Sequence, residues 1–176
     1  AFYRGMRKVG IDGTVMDVPD CEAHQHFGRS SGSRGQGPFP QVRKVSLVEL
    51  GTHIEFAFVY GGWKDSEKKL VKELWEFIPE DALLIEDRGF FSFESWKKLH
   101  EKHKMLVRIQ KSMVFKPIKI FKDGSFLAKI YRSNWYRAND VGGIIVRIIQ
   151  YTLDDPQRTG HGEVHRLMTN LLDADE

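Results

Sequence analysis

The sequence predicts an α/β domain whose sheet is partly parallel, continued by a β-rich segment. Three observations carry this expectation. Strand-like apolar runs alternate with helix-spaced ones as far as about residue 110. The run Ala82-Leu83-Leu84-Ile85 is short and wholly apolar, as in a strand covered on both faces. After about residue 104 no amphipathic helical pattern recurs, and strand-like runs separated by turns take over.

The elements follow in order. Val9 and Ile11 lead into Asp12-Gly13-Thr14, which reads as a short strand ending in a turn. Residues 19–40, with Pro19, Pro38, Pro40 and interspersed glycine, serine and arginine, read as a loop. Leu47 to Leu50, then Gly51-Thr52, then alternating Ile54, Phe56 and Phe58, predict a β-hairpin. Ser66 is placed to cap a helix carrying Leu70, Val71, Leu74, Phe77 and Ile78 on one face, stopped by Pro79. The strand at 82–85 ends at Glu86-Asp87-Arg88-Gly89-Phe90. Ser92 then caps a second helix whose Phe93, Trp96 and Leu99 share a face, and Met105 to Ile109 form the next strand. Further strands are expected at 118–120, 126–131, 143–153 and 164–172, with turns at Asp123-Gly124 and 140–142. The expected division is a core over 1–110 and a β-rich insertion over 111–176.

Composition excludes several classes. The chain has 176 residues, 41% of them hydrophobic and 29% charged, a globular rather than disordered balance. No apolar run approaches the roughly 20 residues that span a bilayer, and the N-terminus has no signal-peptide pattern. No membrane partner is therefore expected. The missing initiator Met suits a processed product or a piece of a longer chain. The single cysteine, Cys21, forms no internal disulfide, which fits a reducing, cytoplasmic setting. Net charge is only +3, but basic residues recur over 29–44 and 97–122 and at Arg132 and Arg137. Two readings stay open: a polyanion partner such as nucleic acid, or a solvated basic surface.

Two acidic motifs carry the candidate chemistry. Asp12 and Asp87 each stand at a predicted strand end, each close to a glycine, Gly13 and Gly89. Ligands of α/β sheets gather at the carboxyl ends of parallel strands. Paired carboxylates are what hard divalent cations need, and two such ions support phosphodiester chemistry. The competing reading is that a strand-end Asp before Gly is simply a turn residue.

The wording around these acids is more specific. Ile11-Asp12-Gly13-Thr14-Val15-Met16-Asp17-Val18-Pro19-Asp20 resembles the first catalytic block of DDE transposases of the fourth insertion-sequence family, and Leu84 to Ser92 resembles their second. The resemblance continues through Phe27-Gly28-Arg29, 39–43, 48–53, 123–128 and 167–173, in the right order. It implies an RNase H-like mixed sheet flanked by helices, with a β insertion. It implies that Asp12 and Asp87 hold Mg²⁺ (or Mn²⁺) and that the parent cleaves and joins double-stranded DNA at transposon ends and target. A homo-oligomeric, nucleoid-associated parent goes with that. The family's third acid, a Glu in a block Tyr-x-x-Arg-Trp-x-Ile-Glu, has no counterpart here, and Glu176 has none of that block around it. This chain alone is therefore expected to be inactive; the alternative is a non-catalytic remnant that binds DNA or oligomerises. Cys21 and His24 stand where relatives typically have Thr and Asn.

Arg88, Arg29, Arg34 and Lys111 are the candidate DNA contacts, with an ion pair to Glu86 or another nearby acid as the competing role for Arg88. Cys21-x-x-His24-x-His26 offers three zinc-type ligands but no partner pair at the usual spacing. His161 and His165 around Glu163 do not form the metalloprotease pattern and read as surface residues, and His100 and His103 read as a polar helix edge.

Overall fold

The computed structural model of the protein describes residues 2–33 and 35–174. It divides into two compact units, residues 1–82 and 83–176.

The first unit is an antiparallel sheet with a helical segment. Its strands are β1 (Phe2–Tyr3), β2 (Met6–Asp17), β3 (Arg29–Gly32), β4 (Gly35–Glu49) and β5 (Ile54–Gly62). β4 pairs with β2 on one side and β5 on the other, and its first residues pair with β3. Register puts Ile11 beside Leu47 and Gly13 beside Val45. Val9, Ile11, Val45 and Leu47 on that face are buried. The helical segment packs against β4 and β5 and adds buried Leu70, Val71 and Leu74. It begins as the expected α1 (Glu67–Leu70), with the Ser66 side chain accepting from the Lys69 N–H at 3.2 Å. It then tightens into a 3₁₀ helix over Val71–Phe77. Val71 and Leu74 are buried, while Phe77, the last residue of the 3₁₀ helix, is exposed against the expected apolar face.

Two expectations for this unit are corrected. β2 does not end at Asp12, since the ladder runs on from Thr14↔Lys44 to Asp17↔Gln41. Gly13 stays extended opposite Val45, so the Asp-Gly pair makes no turn. Nor is 19–40 a loop. It holds a 3₁₀ helix (Glu22–Phe27), β3 and the start of β4. Pro38 falls where the β3–β4 register shifts, and Pro40 takes part only through its carbonyl, which accepts Val18 N–H at 2.9 Å.

The second unit is a mixed sheet. Its strands are β6 (Ala82–Glu86), which starts at the boundary, β7 (Lys104–Arg108), β8 (Lys119–Ile120), β9 (Phe126–Ile130), β10 (Ile144–Thr152) and β11 (Val164–Thr169). They lie in the order β6-β7-β11-β10-β9-β8. β6 and β7 are parallel, joined through α2 (Phe93–Leu99), and the other pairs are antiparallel. The expected strand-helix-strand unit is therefore present. Its helix starts with a reciprocal cap: the Ser92 hydroxyl accepts from Ser95 N–H at 3.0 Å, and the Ser95 hydroxyl accepts from Ser92 N–H at 3.1 Å. Trp96 and Leu99 are buried, as the helical spacing requires. A five-residue helix, α3 (Asn134–Ala138), was not expected. It buries none of its residues, so it leaves no apolar periodicity in the sequence.

Polar side chains, half-buried or buried, pin this unit. Asn170 donates to the carbonyls of His100 and His103, both at 2.8 Å, and accepts from Met105 N–H at 2.8 Å. Arg147 is buried and reaches Ser125, Asp123 and the carbonyl of Asp173. His103 and His165 are buried rather than surface residues, and the His165 ring stacks on Tyr151. Among the described residues, no helix is long and apolar enough to cross a membrane.

Candidate metal-carboxylate site

Each unit presents one of the two acids. Asp12 sits in the middle of β2 with its side chain exposed, while Ile11 before it is buried. This is strand alternation: the residue that follows a core position turns outward. Its Oδ1 accepts the N–H of Gly13 at 2.9 Å. Across the ladder it stands beside Ser46, which stands beside Phe58.

Asp87 follows the last residue of β6 and is exposed. Its carbonyl accepts Phe90 N–H at 3.0 Å, closing the turn Asp87-Arg88-Gly89-Phe90. Phe90 is buried and anchors that turn. The carboxylate lies 3.7 Å from Nη1 of Arg108. Both side chains are about half exposed, so this contact contributes roughly 0.5 kcal/mol at most. Sequence reading missed Arg108. Its signal is the parallel register, in which Glu86 pairs with Val107 and the next residue of each strand follows.

Alternation separates Glu86 from Asp87. Glu86 turns inward, is 4% exposed, and burial pushes its carboxyl up to about 7. Arg88 is exposed, and no ion pair between Arg88 and Glu86 is formed among the described residues. The alternative role for Arg88 is thereby corrected, because its neighbour faces the core.

The remaining candidates differ in what they touch. Arg29 is tied to the Pro38 carbonyl, Asp20 and Gln25, bracing the 3₁₀ turn against β4. Hydrogen bonds from Gln25 and then Arg29 hold the Asp20 carboxyl below its usual range. Lys111 pairs with Glu163 on an exposed surface. Arg34 lies outside the described residues, as does Glu176. Cys21 Sγ is 3.4 Å from His24 Nδ1, whereas His26 lies against Phe27 with ring centroids 3.9 Å apart. Among the described residues, no three His, Cys, Asp or Glu side chains come together as a metal cluster. Two outward carboxylates, with hard oxygen donors, suit Mg²⁺ or Mn²⁺ by donor chemistry.

With these positions fixed, sequence comparison finds similarity to transposases. The chain is similar to "Transposase InsG for insertion sequence element IS4" of Escherichia coli (strain K12), 26% identical over 177 residues, covering 97% of this chain and 38% of that protein. It is also similar to the candidate transposase InsZ of the same strain, 28% identical over 102 residues, covering 57% of this chain and 34% of that protein. The chain thus spans little more than a third of the curated relatives it matches. No protein-family profile matches it. Among solved structures, the piggyBac transposase in a synaptic complex with hairpin DNA overlaps 93% of this chain and 33% of that one, with TM-score 0.49 and 13% identity. That likeness is too distant to bear on the chemistry.

Proposed function

We propose that this chain is part of the catalytic domain of a DNA transposase of RNase H-like fold, with the core over 1–110 and the β-rich insertion over 111–176. In the parent, metal-dependent hydrolysis frees a 3′-hydroxyl at the transposon end, which then joins target DNA. Asp12 and Asp87 hold the divalent cations, Mg²⁺ or Mn²⁺. When bound, such ions supply Lewis-acid stabilisation of the oxygens at the reacting phosphodiester. Arg88, exposed beside Asp87, seats a DNA phosphate, and Lys111 adds a second cationic contact once it exchanges Glu163 for the backbone. Arg29 acts mainly by bracing the 3₁₀ turn against β4. The partner is double-stranded DNA, engaged by a homo-oligomer in the cytoplasm at the nucleoid.

The observation that carries this reading is the pair of ordered motif blocks, each presenting one outward aspartate, within a chain similar to InsG along 97% of its length. The 176-residue chain lacks the third acid and is inactive in strand transfer. In a parent-length protein, Asp12→Ala or Asp87→Ala lowers Mg²⁺-dependent strand transfer by about three orders of magnitude, roughly 4 kcal/mol of transition-state stabilisation. Robust strand transfer by the 176-residue chain, abolished by Asp12→Ala, would contradict the assignment. A second reading, a DNA-binding remnant, follows from the missing third-acid block. It requires a salt-dependent shift of duplex DNA that ignores both Mg²⁺ and Asp87→Ala.

A further inference from the structure

The buried hydroxyl side chains among the described residues are those of Ser46, Ser95, Ser125 and Thr169. All but the first are satisfied. Ser95 donates to the Ser92 carbonyl at 3.0 Å. Ser125 donates to Asp123 at 2.6 Å and accepts from Arg147 at 2.9 Å. Thr169 accepts from Leu171 N–H at 3.1 Å. Ser46 is only 1% exposed, and its Oγ is buried with no hydrogen-bond partner. A hydroxyl taken out of water and left unpaired is destabilising, so its position has to be explained by what it can serve.

Ser46 lies in β4 between Val45 and Leu47, whose side chains are buried on the opposite face. Register sets it beside Asp12 of β2 on one side and Phe58 of β5 on the other. The shift in the β4–β5 ladder falls outside this row, between Leu47 and Val48. Asp12, Ser46 and Phe58 therefore share one row on one face. Directly opposed residues of an antiparallel pair have Cβ atoms about 4.5–5.5 Å apart, so rotation about χ1 brings a serine hydroxyl within reach of an aspartate oxygen.

The Asp12 carboxylate has acceptor capacity to spare. Oδ1 accepts Gly13 N–H at 2.9 Å, and among the described residues no other hydrogen bond reaches either oxygen. Each carboxylate oxygen offers two acceptor sites, so donors from Gly13 and Ser46 together still leave room for an ion. Carboxylates that ligate a metal are held in orientation by such donors.

We infer that Ser46 is a positioning residue for Asp12: its buried hydroxyl donates to the Asp12 carboxylate when that group binds a divalent cation, and so fixes the rotamer that faces the ion. The inference rests on reading Asp12 as a metal ligand.

Mn²⁺ alone, added to the isotope-labelled 176-residue chain, tests this through paramagnetic broadening of the Gly13 amide signal. Ser46→Ala should raise the Mn²⁺ concentration for half-broadening about tenfold. Ser46→Thr, which keeps the hydroxyl, should restore it. The urea midpoint of Ser46→Ala should equal or exceed that of the unsubstituted chain, because the orphaned hydroxyl is gone. Unchanged Mn²⁺ demand in Ser46→Ala would overturn the inference and leave the metal reading intact. So would a raised demand that accompanies lost stability and is not restored by Ser46→Thr, since that pattern marks a structural role. Broadening of Gly13 that Asp12→Ala leaves unmoved would overturn both the inference and the reading beneath it.

Discussion

The two units solve the same problem differently. The second is tied by polar side chains: half-buried Asn170 joins the end of α2 and the start of β7 to the chain after β11, and buried Arg147 gathers Ser125, Asp123 and a backbone carbonyl. The first relies on apolar packing of Val9, Ile11, Val45 and Leu47 on one face, and leaves Phe58 and Tyr60 exposed on the other. The contrast teaches where each unit is sensitive. The second depends on single polar side chains, whereas exposed Phe58 and Tyr60 of the first tolerate change.

The largest expected effect on stability comes from Glu86. Its folded carboxyl sits at about 7 against an ordinary value of 4.5, so the folded state favours the protonated form. Stability is fully present below pH 4.5 and is lost as pH rises through 7. In metal-free buffer, Glu86→Gln should match the parent residue at pH 4 and exceed it at pH 8 by on the order of 3 kcal/mol in urea unfolding. Next, Asn170→Ala should destabilise by about 2–3 kcal/mol, because it orphans one N–H and two carbonyls in part-buried surroundings. Ser92→Ala should cost about 1 kcal/mol through loss of the α2 cap. Phe58→Ser in the 176-residue chain should stay within about 0.5 kcal/mol, measured in the same denaturant series. If Phe58→Ser instead cost as much as Asn170→Ala, the contrast between the units would fail.

Much of this was legible in the sequence, for physical reasons that can be named. Ser66 and Ser92 announced their helices because a hydroxyl at the first cap position satisfies an otherwise orphaned N–H. The apolar run at 82–85 read correctly as a strand, and the expected parallel part of the sheet lies where it pairs with its successor, because the intervening helix makes a crossover. Residues 19–40 misled because glycine and proline are read as breakers, yet Pro38 falls at a register shift and Pro40 takes part only through its carbonyl. Asp12-Gly13 misled for a related reason, since an Asp-Gly pair reads as a turn but here lies in a continuous ladder. At the site, the identity of the acids was readable, but their neighbours were not. Arg108 beside Asp87 follows from strand register, and the inward turn of Glu86 follows from alternation within a strand covered on its inner face. The exposure of Phe58 and Tyr60 could not be read, because period-two alternation looks the same whichever face is covered.

The central claim is that Asp12 and Asp87 share divalent cations. Ferrous iron substituted for Mg²⁺, with ascorbate and peroxide, cuts the backbone next to the ligands that bind it. The account predicts cuts near both residue 12 and residue 87 in the 176-residue chain, with Asp12→Ala removing both sets. Cuts near residue 87 that persist undiminished in Asp12→Ala, or no cuts at either position in the unsubstituted chain, would contradict it.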